Sequence, residues 1–212
     1  MSVNHYMASF HTRDPSSNLI ELSNEACAEA GFSYDWSEIE TGNELRSFKT
    51  SYKNNTINIT FDHTSDSNPH LTLIVNFREH LSPLDWEKRN TYREFLDTSI
   101  ELLCGLYKCS NADYMGLFVK SKYDTFVPTD LPLANHIETI PPIGIYSESL
   151  LQEFEGLAGL FTEPRWEGSS PPWRVGELED GSLLVITHPK PWTDGGWTEP
   201  SYVDLRPGEE YV

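Results

Sequence analysis

Seven histidines, His5, His11, His63, His70, His80, His136 and His188, are the residues from which a metal site or a general base would be drawn. None stands in an HxH or HExxH pattern or is paired with a CxxC, the spacings that bring ligands onto one helix face or turn. The densest local group is Asp62, His63, Asp66 and His70, on and around the connection between two predicted strands. Such residues form turns, and no metal ligand is assigned from them. A serine nucleophile has no G-x-S-x-G elbow; Glu167-Gly168-Ser169-Ser170 lacks both the spacing and a preceding apolar strand. The thiols are Cys27, Cys104 and Cys109, an odd number that reads as reduced, with Cys104 a small hydrophobe on the apolar side of a helix. No phosphate-cradling glycine motif occurs, and Gly156 with Leu157-Ala158-Gly159 reads as close packing at an element's end. Carboxylate pairs such as Glu153/Glu155 and Glu177/Glu179/Asp180 arise by chance in a chain this acidic. No catalytic residue, metal or cofactor is therefore expected. The alternative is a small-molecule enzyme with carboxylate and histidine chemistry at Asp62, His63 and His188.

Tryptophan is distributed unevenly. Trp166, Trp173, Trp192 and Trp197 lie near the C-terminus in Pro- and Gly-rich segments, with Glu163, Glu167, Asp194 and Glu199 beside them. Large rings can anchor a tail that has no regular structure, and they also dominate interface hot spots. These eight residues are the expected partner-binding set, with the rings as anchors and the acids meeting a cationic protein. Pro171-Pro172-Trp173-Arg174 opens a hairpin that turns at Asp180-Gly181 and closes with Leu183-Leu184-Val185-Ile186 before Pro189. This segment resembles the terminal hairpin of immunity proteins from polymorphic toxin systems, particularly the immunity protein 52 type; the tail after Pro189 departs from that pattern. The resemblance implies a cytosolic α+β protein that neutralises a toxin by binding it, with no catalytic residues.

Charge narrows the partner. The 212 residues carry 33 acidic and 15 basic side chains, a net charge of −18. Nucleic-acid binding depends on cations that displace condensed counterions, and no Lys/Arg cluster is present, so neither nucleic acid nor an anionic membrane surface is expected. A basic protein partner is, because complementary potentials speed encounter. The competing account is a halophilic source, where screening within ~3 Å at 1 M salt removes the self-repulsion and the acidity is purely solvational. No apolar run is long enough to span a bilayer and no signal peptide is expected from Met1 to Arg13, so a cytoplasmic protein is expected. No oligomeric state is assigned.

The elements that would position these residues are partly legible. A helix is expected between Asp14 and Gly31, with Ser23 as a cap and Gly31 as its stop. Leu45–Lys53 and Thr56–His63 form a hairpin across Asn54-Asn55, and Leu71–Phe77 a third strand. Ser82-Pro83 opens a helix to Tyr107 whose stripe is Tyr92, Leu96, Ile100, Leu103 and Tyr107. Ala112–Val119 is a fourth strand, Ser147–Phe154 a short helix, and Trp173–Leu178 with Ser182–Thr187 a hairpin across Glu179-Asp180-Gly181. The expected fold is a single α+β domain over 1–212: an antiparallel sheet with one long helix packed on a face, a C-terminal hairpin and an irregular wrapping tail. Residues 125–212 form an elaborated acidic third; from Glu138 onward there are 14 acids and 4 bases.

Overall fold

The computed structural model describes residues 5–12, 18–33, 37–39, 45–52, 55–63, 71–78, 89–119, 132–162, 174–187 and 202–205. The N-terminal half holds β1 (His5–Thr12), α1 (Leu19–Glu29), β2 (Ser37–Ile39), β3 (Leu45–Tyr52), β4 (Asn55–His63) and β5 (Leu71–Arg78). Next come α2 (Arg89–Ser110), β6 (Ala112–Val119), β7 (Ile143–Tyr146), α3 (Glu148–Glu153) and α4 (Leu157–Leu160). The chain closes with β8 (Arg174–Leu178), β9 (Leu183–Ile186) and β10 (Tyr202–Leu205). These strands form one sheet in the order β10-β8-β9-β7-β6-β1-β5-β4-β3-β2, with every neighbouring pair antiparallel. The fold is α+β, as the order of three strands, a helix and a strand implies.

One face of the sheet is covered by α2 with α1 beside it. Ala8 and Phe10 of β1, Ile57, Ile59 and Phe61 of β4 and Met115 and Leu117 of β6 point into this layer. They meet Ile100, Leu103 and Tyr107 from the expected stripe of α2, joined by Leu102 and Leu106. In β4 the intervening Thr56, Asn58 and Thr60 are half-buried, so the period-2 alternation separates the two sheet faces. The opposite face has its own cover over β6, β7, β8 and β9. There Tyr114, Tyr146, Leu183 and Val185 pack against Leu150, Phe154 and Leu160 of the short helical region. Helical structure thus lies on both faces, in different layers.

Several boundaries differ from expectation for identifiable reasons. β1 has no counterpart in the sequence reading, yet it lies between β5 and β6 and pairs with both. Its Ser9, His11 and Thr12 are buried along with Ala8 and Phe10, and those polar residues hide the strand pattern. β5 and β6 consequently run parallel to each other across β1, with α2 as the connection between them. Ser23 does not cap α1. It lies inside the helix, buried, with its hydroxyl 3.8 Å from Cys109 Sγ on α2, and the N-cap position is Asn18. The hairpin closes at Tyr52–Asn55, so Asn55 belongs to β4. β7 emerges from the proline-punctuated segment and β10 from the tail expected to be irregular; β10 pairs with β8 at the sheet edge. Ser82, Pro83 and the rest of the expected start of α2 lie outside the described residues.

Candidate functional site

The site is built where α1, α2 and the β8–β9 turn meet. α1 stops because Gly31 takes φ +82°, a left-handed value that costs glycine little. Its N–H donates to Ala28 O at 3.0 Å and that of Phe32 to Cys27 O at 2.8 Å, the paired bonds of a Schellman ending. This leaves Glu29 and Ala30 beside α2. The two helices run antiparallel and close: a Cβ on Gly105 would lie 3.3 Å from Ala26 Cβ. Glu101, Cys104 and Lys108 share a face of α2, at helical steps of three and four.

The third wall is the turn Glu179-Asp180-Gly181. Gly181 sits at φ +81°, and its N–H donates to Leu178 O at 3.0 Å. The Leu178 N–H donates to Ser182 O at 2.8 Å, while Asp180 Oδ1 accepts from the Ser182 N–H at 3.0 Å. Gly181 therefore supplies the left-handed residue of a three-residue hairpin loop, as the Asp-Gly pair implies. A buried hydrogen bond of 3.2 Å between the Tyr107 hydroxyl and Ser182 Oγ ties this turn to α2.

Between these walls is an open groove of about 530 Å³. Its lining includes Ala30, Cys104, Gly105 and Leu178, which form a largely apolar floor. Glu29, Glu101, Glu179 and Asp180 line it as well, all exposed, with Lys108 as the single basic lining residue among the described residues. Lys108 Nζ is 3.3 Å from Glu179 Oε2, with the side chains 74% and 83% exposed. A contact this wet holds weakly, at most about 1 kcal/mol.

A second recess of about 400 Å³ adjoins the groove and shares Asp180 with it. α2 ends at Asn111, φ +52°, a left-handed position that asparagine tolerates. Strand β6 then carries a bulge: His11 pairs with Tyr114 but Thr12 with Ala112, so Asp113 is the extra residue. Bulges re-aim side chains, and Asp113 lines the recess with its Oδ2 4.0 Å from Nδ1 of the buried His11. Ser147 caps α3, its Oγ accepting from the Leu150 N–H at 3.1 Å, and Glu148 follows it at the recess wall.

The thiols here are poor nucleophiles. Burial, with the negative charges of Glu101 and then Asp180, pushes Cys104 from the ordinary value of 9.0 up to about 12. Cys109 is raised to about 11, chiefly by burial and further by Glu25 and Glu29, against hydrogen bonds from Ser23 and its own backbone. The reactive species is the thiolate, so iodoacetamide at pH 8 should label both residues far more slowly in the folded protein than in urea. Labelling at equal rates in the two states contradicts this placement. These groups ionise near pH 9 in the unfolded chain and later in the folded one, so their contribution to stability is complete below that pH and is lost as pH rises through 11 to 12.

The partner-binding set expected from sequence, Trp166, Trp173, Trp192, Trp197, Glu163, Glu167, Asp194 and Glu199, lies outside the described residues. Of the alternative catalytic set, Asp62 and His63 lie at the end of β4, paired with Thr72 and Leu71, while His188 is outside the described residues. Among the described residues no group of three or more His, Cys, Asp or Glu is placed to hold a metal ion, and no helix is long and apolar enough to cross a membrane. In the sequence Glu179 and Asp180 stand out as a turn and as part of a carboxylate group attributed to chance, whereas Glu29, Glu101, Asp113 and Glu148 carry no mark of a site. The α1–α2 pairing places Glu29 and Glu101 on the groove, while the β6 bulge and the start of α3 place Asp113 and Glu148 on the recess, and none of these leaves a spacing signal.

No protein-family profile matches the chain, and no curated protein does. Among solved structures, the Trypanosoma brucei AdoMetDC-delta26 monomer is similar at 7% identity and a TM-score of 0.29. The match covers 86% of this chain and 62% of that one, less than two thirds of its length. Likeness at this level carries no argument about activity.

Proposed function

We propose that the protein is a non-catalytic binding protein whose acidic surface receives a basic protein partner. One observation carries this reading: among the described residues, the groove and the recess that shares Asp180 with it are lined by six carboxylates, Glu29, Glu101, Asp113, Glu148, Glu179 and Asp180, against the one ammonium of Lys108. The C-terminal end of α2 adjoins the recess and adds the negative end of its dipole. Such a surface attracts cations over several ångströms and raises encounter rates. The raised thiols beside it favour recognition over covalent chemistry. The resemblance of the C-terminal hairpin to immunity proteins supplies the partner class, a toxin occluded in the cytoplasm. In this reading Trp166, Trp173, Trp192 and Trp197 give the complex its lifetime, because ring anchors act mainly on dissociation.

The experiment is a pull-down with the products of adjacent reading frames, at about 0.05 M and about 0.5 M NaCl. The expected result is a stoichiometric complex with one of them that weakens at the higher salt and is lost in the Trp192→Ala/Trp197→Ala double variant. Absence of any complex at both salts removes the reading.

A further inference from the structure

We infer that the groove between α1, α2 and the β8–β9 turn is the docking slot for an arginine side chain presented by the basic partner. This deepens the binding-protein reading and rests on it. The shape of the slot suits a cation with an apolar stem. Ala30, Gly105 and Leu178 offer apolar surface at its floor, and Glu29, Glu101 and Asp180 offer charge from three separate segments. A side chain that buries its methylenes while keeping its charged head near the carboxylates matches that division.

Guanidinium fits better than ammonium. Its five donors in a rigid plane can be shared by carboxylates arriving from different elements, and it gives up water more easily. Glu101 and Asp180 also add to the upward push that burial gives the Cys104 thiol at the slot's floor. Lys108 already leans on Glu179 from the slot's own wall, in an exposed contact that an incoming side chain can displace. The slot is also firmly framed: the α1 ending is fixed by its paired backbone bonds and the turn by Tyr107–Ser182.

The test is a titration of the full chain with an acetylated, amidated eight-residue peptide of alternating arginine and glycine. It is read by backbone amide shifts and by calorimetry. A peptide with citrulline in place of arginine keeps the shape and removes the charge. The expected result is saturable binding of the arginine peptide alone, with the largest shifts at Ala30, Gly105 and Leu178. Glu29→Gln with Glu101→Gln, both exposed positions, should weaken it about tenfold. Glu138→Gln with Glu155→Gln, exposed carboxylates beside the other core layer, should change it less than about twofold. Lys108→Ala should tighten it, and a lysine peptide of equal charge should bind several-fold more weakly.

Equal weakening by the two glutamate pairs overturns the slot and leaves an acidic surface acting as a whole. Equal binding of lysine and arginine peptides overturns the guanidinium assignment. No binding of the arginine peptide overturns the slot while a salt-sensitive complex in the pull-down keeps the broader reading. Loss of both removes both.

Discussion

Replacing Phe10 by alanine is expected to destabilise the protein by about 3–5 kcal/mol, seen as a lower urea midpoint with an unchanged slope. Phe10 is 0% exposed and pairs with Leu73 of β5 on one side and Met115 of β6 on the other. Its ring sits in the layer beneath α1 and α2, so truncation leaves a cavity that a sheet interior closes poorly. The position also matters for topology: β1 is the strand that joins β6 and its neighbours to β5 and its neighbours. A cost below about 1 kcal/mol, the range of an exposed site, would show that β1 is not the centre of this sheet.

Gly159→Ala should cost about 3 kcal/mol, near the upper end for added bulk. A Cβ there would stand 1.6 Å from the Phe154 carbonyl oxygen and 2.8 Å from its carbon. Both are backbone atoms, and Phe154 is buried with its N–H donating to Leu150 O and Leu151 O. Relief requires α4 or the end of α3 to move, and both belong to the second core layer. Gly156 supplies the control. It has φ +91° with ψ −172°, a conformation almost confined to glycine, but nothing within 4 Å of an added Cβ, so alanine there costs only its backbone conformation, about 1–3 kcal/mol. The order of the two urea midpoints checks the placement, and Gly156→Ala proving the more damaging would contradict it.

These two sites also show what a sequence displays. The cluster Gly156-Leu157-Ala158-Gly159 reads as close packing from composition, which holds at Gly159 and not at Gly156, where an added Cβ meets open space. The β3–β4 and β8–β9 hairpins are legible from their alternation and turn residues, and β5 and β6 from runs rich in apolar residues. β1 is not, because burial on both faces admits Ser9, His11 and Thr12 once neighbouring strands surround them. Ser23 misleads in a related way: its hydroxyl reads as a cap, but a helix-to-helix contact near Cys109 holds it in the interior. The groove was not legible at all. Glu29 and Glu101 are 72 residues apart, and only the antiparallel pairing of α1 and α2, made close at Gly105, puts them on one rim.

The most direct test of partner-directed acidity is the association rate constant of the purified complex, measured across ionic strength for the chain and its Glu29→Gln/Glu101→Gln variant. The account predicts that the rate falls by about tenfold or more as salt rises from dilute to about 0.5 M, with a shallower fall for the variant. A rate indifferent to salt, or the same slope for both proteins, would mean that these carboxylates do not guide the encounter.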